Sequence, residues 1–280
     1  MTSKILKIAL IGRTNAGKST LINSIVGEKI SIQNKKINTT QVTIIGVKNI
    51  KKTQLIFYDT PGSNFLKSLN KQSKNLKTNL WSGIDESDII FYLIDSKTAN
   101  IKFLFEQIEK LQEVKKKIIV IFNKIDLISN KQLLPLISNL NKNFQIDSFF
   151  TISAIQNIGI DDLLDYTEKY SYVSKWIFED DEITNKDDIF IVGELLRETM
   201  LTYLHKEIPY NVSIQTSNFK ILKNNDIKIK QKIIINQKKN KKIILGRKGE
   251  MIKKIREYKQ KKISQNLNAK IHLYLEILNT

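Results

Sequence analysis

Eight residues, Gly12-Arg13-Thr14-Asn15-Ala16-Gly17-Lys18-Ser19, leave very few folds open to this chain. They read G-x-x-x-x-G-K-S, the pattern of a loop that cradles phosphates. The same spacing could describe a glycine turn beside a surface lysine, and the flanks separate the two. Ile5 to Ile11 before the loop is mostly apolar and suits a buried strand. After it, Leu21, Ile22, Ile25 and Val26 share one helical face. Strand, glycine loop and helix together are the context a phosphate loop requires. The glycines let successive N–H groups turn toward phosphate oxygens, and the helix N-terminus adds partial positive charge. Lys18 brings a full charge to the outer phosphates, and the Ser19 hydroxyl can ligate Mg²⁺. We assign Gly12 through Thr20 to nucleotide binding.

Apolar runs at 42–47, 54–58, 89–94, 117–122 and 149–152 read as strands, and 100–114, 131–140 and 159–170 as helices. Such alternation predicts an α/β domain, a mostly parallel sheet with helices on both faces. Ligands of these sheets sit at the carboxyl ends of the strands, and the remaining motifs fall there. Asp59-Thr60-Pro61-Gly62, followed by Ser63, ends one strand. Its carboxylate can hold Mg²⁺ through water, and the Gly62 N–H can face a γ-phosphate. Asn123-Lys124-Ile125-Asp126 ends another. Asp126 can accept from N1–H and the 2-amino group of guanine, and adenine offers neither donor. Each charged hydrogen bond is worth ~1.5–3 kcal/mol, so two separate GTP from ATP by orders of magnitude. Asn123 and Lys124 would brace this loop and cover the base, and Asn123 joins Asp126 in selecting guanine. Backbone N–H groups of Ser153-Ala154 can reach the guanine O6.

The polar stretch 31–41 carries Thr39 and Thr40. A threonine there can ligate Mg²⁺ while a γ-phosphate is present and let go after hydrolysis. Thr40 is narrowly preferred. The polar stretch 63–79 would be a second mobile loop. The catalytic set is then Lys18, Thr40 and Gly62, and the metal set Ser19, Thr40 and Asp59. No histidine falls in these motifs, so no histidine base is expected.

A chain of 280 residues suits two domains. It has no cysteine, hence no disulfide or thiolate metal site. Without a signal-peptide layout or an apolar run of ~18 residues, a soluble cytoplasmic protein is expected. The net charge of +18 points to a polyanion partner, RNA or an anionic membrane. Lysine is common throughout, but eighteen bases against four acids between Lys220 and Thr280 put most of the excess in under a quarter of the chain. There the order reads helix (188–205), strand (211–215), strand (227–235), helix (241–245), Gly246-Arg247-Lys248-Gly249, helix (250–265), strand (269–277). That order is similar to the prokaryotic KH domain, an α+β module. Its G-x-x-G turn clamps about four nucleotides. Arg247, Lys248, Lys253 and Lys254 would meet phosphates. The segment is poor in exposed aromatics, so base reading would rest on apolar and edge contacts without stacking.

The succession of motifs resembles the Era family of GTPases, within the TrmE–Era–EngA-like superfamily, over essentially the whole chain. Residues 178–184 look like that family's interdomain linker. Glu194-Leu195-Leu196-Arg197-Glu198 and then Glu207-Ile208-Pro209-Tyr210 look like the opening of its C-terminal domain. The expected division is 1–172 GTPase domain, 173–187 linker and 188–280 KH domain. The resemblance implies a monomeric, Mg²⁺-dependent GTP switch. It would bind the 3′ end of 16S ribosomal RNA and assist assembly of the 30S subunit, with some peripheral association at the cytoplasmic side of the membrane. Gln41 replaces the family's usual arginine, which puts that residue's contact in doubt. The family lacks a water-positioning glutamine, and Asn15 matches an asparagine that helps hold K⁺ in related GTPases. Slow intrinsic hydrolysis follows, with K⁺ as a candidate accelerator. The rival readings are a GTPase acting on tRNA or the large subunit, and a membrane-surface GTPase using its lysines on anionic lipid. The single phosphate loop counts against a two-GTPase-domain relative.

Overall fold

The apolar run ahead of the phosphate loop forms β1 (Lys4–Gly12), an inner strand of the first of two compact units, Met1–Asn185 and Lys186–Thr280. The computed structural model describes residues 2–31, 44–60, 83–204, 212–235 and 237–279. Around β1 lie α1 (Lys18–Val26), β2 (Ile44–Ile50), β3 (Thr53–Asp59) and β4 (Ile89–Asp95). There follow α2 (Ile101–Gln112), β5 (Lys117–Asn123), α3 (Asn130–Asn143), β6 (Ser148–Ile152), α4 (Ile160–Glu168) and the short β7 (Tyr172–Val173). The sheet order is β2-β3-β1-β4-β5-β6, parallel except for β2 against β3. The strand expected at 42–47 is described from Ile44. It forms a hairpin with β3 through Lys51, whose φ of 52° closes the turn.

Strand alternation builds the core. Ala9, Ile11, Tyr92, Val120 and Phe122 turn to one face, where Leu104 and Ile108 of α2 and Leu133 and Leu140 of α3 cover them. On α1, Leu21, Ile22, Ile25 and Val26 are buried as their spacing predicts, and the helix packs on β1, β2 and β3. Each such aliphatic side chain contributes ~1.5–3 kcal/mol when fully buried. The consequence for function is that the carboxyl ends of β3 and β1 lie side by side, with that of β5 one strand further on, beyond β4.

The segment expected to link the domains lies along the first unit as far as 185. β7 pairs antiparallel with the start of β1. Gln54, fully buried on β3, accepts from the N–H groups of Ile177 and Phe178 through Oε1, at 2.9 and 3.0 Å, and donates to the Phe178 carbonyl. The Val47 N–H donates to Ile183 O at 2.8 Å. A buried amide uses its donors and acceptor here because leaving them unmade costs more than the bonds return.

The second unit holds α5 (Asp188–Tyr203), β8 (Val212–Ile221), β9 (Ile227–Ile235), α6 (Lys238–Leu245), α7 (Glu250–Leu267) and β10 (Ile271–Asn279). Its sheet order is β10-β9-β8, with β9 parallel to β10 and antiparallel to β8. Ile229, Ile233, Ile235 and Leu273 face Val192, Leu195 and Leu196 of α5 and Ile255 and Ile263 of α7. The alternating isoleucines and lysines of β9 thus divide between a helix-covered face and an open one. Glu207-Ile208-Pro209-Tyr210 lies outside the described residues. Among those described, no helix is long and apolar enough to cross a membrane.

Candidate functional site: a braced phosphate loop and a G-x-x-G turn

The loop between β1 and α1 turns at Gly17, whose φ is 100°. A Cβ there would meet the Asn123 Nδ2, so the position demands glycine twice over. Lys18 is only 7% exposed, and its ammonium curls back to donate to Gly12 O at 3.0 Å and Arg13 O at 3.2 Å. Burial lowers its pKa to about 8, and the nearby Asp59 carboxylate partly opposes that shift. Asp59 is itself fully buried, which raises its pKa; Lys18 and the hydroxyls of Ser31 and Ser19 pull it the other way.

Asp59 Oδ2 accepts from Ser19 Oγ at 2.8 Å and from Ser31 Oγ at 2.7 Å. Its Oδ1 is buried with no hydrogen-bond partner among the described residues. A carboxylate oxygen left over beside a serine hydroxyl fits Mg²⁺, which takes hard oxygen ligands and uses one or two carboxylates plus substrate phosphates. Among the described residues no cluster of three or more His, Cys, Asp or Glu gathers. Thr60, expected to touch nucleotide, is fully buried and its hydroxyl donates to Leu10 O at 2.6 Å. Thr39, Thr40, Gln41, Pro61, Gly62 and Ser63 lie outside the described residues.

Asn123 is 2% exposed and joins three motifs. Its Nδ2 donates to Ala16 O at 2.9 Å, and its Oδ1 accepts from the N–H of Lys124 at 2.8 Å and of Ala154 at 3.0 Å. It therefore braces the loop that begins at Asn123, expected to read guanine, against Ala16 and Ala154. Ser153 N–H donates to Ile158 O, so the Ala154 N–H can serve a guanine O6 only by a bond shared with Asn123 or after Asn123 releases it. Lys124 Nζ donates to Asn15 O and to Asp95 Oδ2, both at 2.6 Å. Asp126 is exposed beside Ile125, and its Oδ1 accepts from the buried Ser153 hydroxyl at 2.6 Å. That bond aims the carboxylate. Asn15 sits at a φ of 68° on the exposed crest of the loop. A cavity of about 310 Å³ adjoins it, lined in part by Arg13, Thr14, Asp95 and Phe103. Arg13 stacks 4.7 Å from the Phe103 ring.

The brace makes a prediction. Asn123→Ala leaves the Ala154 N–H and Ala16 C=O without their partner, at ~1–3 kcal/mol each. Thermal unfolding of the GDP-loaded protein should show a loss of about 2–6 kcal/mol. An unchanged melting temperature would contradict the brace.

Ser31, Asn23 and Asp95 escaped the motif reading. Asn23 accepts from the N–H groups of Ile30 and Ser31, at 3.0 and 2.9 Å, and donates to Ser31 O, which presents the Ser31 hydroxyl to Asp59. A polar residue inside the apolar α1 was its only trace in the sequence.

In the second unit α6 ends at Leu245, and Gly246 turns with a φ of 72°. A Cβ there would stand 2.6 Å from the Met251 Cβ, so the two helices close only over glycine. Arg247, Lys248, Lys253 and Lys254 are all exposed around the turn, and Lys254 Nζ lies 5.2 Å from the Tyr203 ring centre.

Comparison with known proteins covers both units. A family model described as 50S ribosome-binding GTPase matches residues 7–124, and a KH domain model matches 207–279. GTPase Era of Agrobacterium fabrum is 35% identical over 96% of this chain and 84% of its own length. GTPase Era of Rickettsia conorii is 35% identical over 97% and 79%. A crystal structure of Era in complex with MgGDPNP and nucleotides 1506–1542 of 16S ribosomal RNA superposes with a TM-score of 0.88 at 28% identity, covering 99% of this chain and 94% of that one. A variant of Aquifex aeolicus Era bound to GDP and AlF₄⁻ gives 0.87 at 28% identity, covering 100% and 94%. Similarity that runs unbroken from phosphate loop to G-x-x-G turn places the chain in the Era family of GTPases.

Proposed function

We propose that the protein is a Mg²⁺-dependent GTP switch that binds the 3′ end of 16S ribosomal RNA through its second unit and assists assembly of the 30S subunit. One observation carries the reading. A guanine-reading loop is braced onto a phosphate loop in the same chain as a basic G-x-x-G turn, and the similar Era structure holds MgGDPNP and 16S nucleotides 1506–1542. In this reading Ser19 ligates Mg²⁺ with Thr40, and Asp59 reaches it through water. Lys18 neutralises charge on the transferred phosphate, Gly62 reads the γ-phosphate, and Asp126 selects guanine. Asn15 is the residue that would hold K⁺. A monomeric, cytoplasmic protein with some peripheral attachment to the membrane's cytoplasmic side completes the proposal; anionic lipid would meet the same basic charge.

The test is the pair Arg247→Gln and Lys248→Gln. Together they should weaken binding of a labelled 3′-tail RNA about tenfold or more at fixed salt. The slope of log affinity against log salt should fall by about 1.4, two phosphate contacts at ~0.7 each. Thermal stability should stay unchanged, since both side chains are exposed. Unchanged affinity would contradict RNA binding at this turn.

A further inference from the structure

The sheet of the second unit has a face that its helices leave open. Its inner residues, from Ile229 to Leu273, are buried under α5 and α7. Along the outer side of the central strand β9 run Lys228, Lys230 and Lys232, with Lys230 exposed and the other two half-buried. Alternate residues of a strand lie about 6.4–6.8 Å apart, close to the spacing of successive phosphates along an extended nucleic-acid strand. Register adds Lys220, paired with Lys228 across β8. On the other side, Tyr274 of β10 pairs with Lys230 and is 53% exposed, with Lys228 Nζ 5.6 Å from its ring centre. An exposed ring among lysines is the arrangement by which single-stranded nucleic acid is held, the ring stacking a base and the ammonium groups meeting the backbone. Glu276, paired with Lys232, is the one acid in these rows. Asp226, near their end, is bonded to His272 at 2.7 Å and lies 3.9 Å from Lys270.

The reading from the sequence assigned no stacking to this domain, because aromatics are few. Tyr274 stands out only once the register sets it among the lysines. The G-x-x-G turn joins α6 and α7, which belong to the helical layer on the opposite side of the sheet.

We propose that this outer sheet face is a second RNA-contact surface, separate from the G-x-x-G turn, along which Lys228, Lys230 and Lys232 follow one backbone while Tyr274 stacks a base. It rests on the reading that the second unit binds RNA. An RNA strand is favoured over a lipid surface by the spacing of the lysines along one strand and by the ring beside them.

The test uses the full chain and a labelled unstructured RNA long enough to reach both faces. Lys228→Gln/Lys230→Gln/Lys232→Gln should lower affinity at least tenfold and reduce the salt slope by about 2. Tyr274→Ala should weaken binding about tenfold, and Tyr274→Phe should restore it, since stacking needs the ring and not the hydroxyl. Photocrosslinks from thiouridine-substituted RNA should map to 271–279. If the triple variant binds RNA normally while Arg247→Gln/Lys248→Gln does not, the outer face is not a site and the RNA-binding reading stands. If neither set of changes matters, both readings fall. Loss of binding to phosphatidylglycerol vesicles with RNA binding intact would overturn the proposal in favour of lipid.

Discussion

Asp126→Asn should lower affinity for GTP by about two to four orders of magnitude and raise affinity for xanthosine triphosphate. In the proposed reading the carboxylate accepts from two guanine donors, and each charged bond is worth ~1.5–3 kcal/mol, or ~3–6 kcal/mol together. An amide has one acceptor and one donor edge, so its NH₂ would face the guanine 2-amino group. Xanthine carries a carbonyl at that position and keeps N1–H, which the amide matches bond for bond. The pocket survives the change, because the retained oxygen can still accept from Ser153 Oγ, as Asp126 Oδ1 does at 2.6 Å. Competition binding with GTP, ATP and XTP reads the result. A variant that loses all three nucleotides equally would show that Asp126 supports the loop without reading the base.

Nucleotide affinity should also fall as pH rises above about 8. Burial holds Lys18 at about 8 in the free protein, well below the usual 10.5. Phosphates packed against the ammonium keep it charged to much higher pH, so binding raises its pKa and takes up a proton. Affinity is then full below about pH 8 and declines toward tenfold per pH unit above it, as far as the bound-state pKa. In the free protein the sign is opposite. Folding there disfavours the proton, so stability rises between about 8 and 10.5. Lys18→Met should remove the pH dependence and lower affinity by roughly two to three orders of magnitude, the scale of losing one partner of a buried charge pair. Calorimetric titration with GDP in buffers of different ionisation enthalpy measures the proton uptake directly. A flat profile from about pH 7 to 9.5 would contradict it.

What could be read from the chain before its fold was known is what chemistry forces into fixed spacing. Gly17 and Lys18 must sit side by side at a helix N-terminus, and Asp126 must follow a buried strand closely enough to meet a base. The same holds for Gly246 and Gly249, which bracket a turn that closes over Met251. Helix and strand periods then placed α1, β4, β5 and α7 almost where they lie. Single polar residues whose partners are far along the chain were not readable. Ser31 reaches Asp59, Asp95 reaches Lys124, and Gln54 grips Ile177 and Phe178, separations of 28, 29 and 123 or 124 positions. None of them repeats with a period or sits at a characteristic spacing. The attachment of residues 172–185 to the first unit was not readable for the same reason, since it runs through β7 on β1, Gln54 and the Val47 N–H, all far away in the chain. Tyr274 belongs with them, because its neighbours are set by strand register.

The measurement that bears most directly on the switch is binding of a labelled RNA matching the 16S 3′ tail, at fixed salt, to protein loaded with a non-hydrolysable GTP analogue, with GDP, or offered an ATP analogue. Tight binding with the GTP analogue alone is the predicted result, joining guanine selection at Asp126 to RNA capture at the second unit. Equal and strongly salt-dependent binding in all three states would leave a basic RNA-binding surface uncoupled from the nucleotide, and the switch would be contradicted.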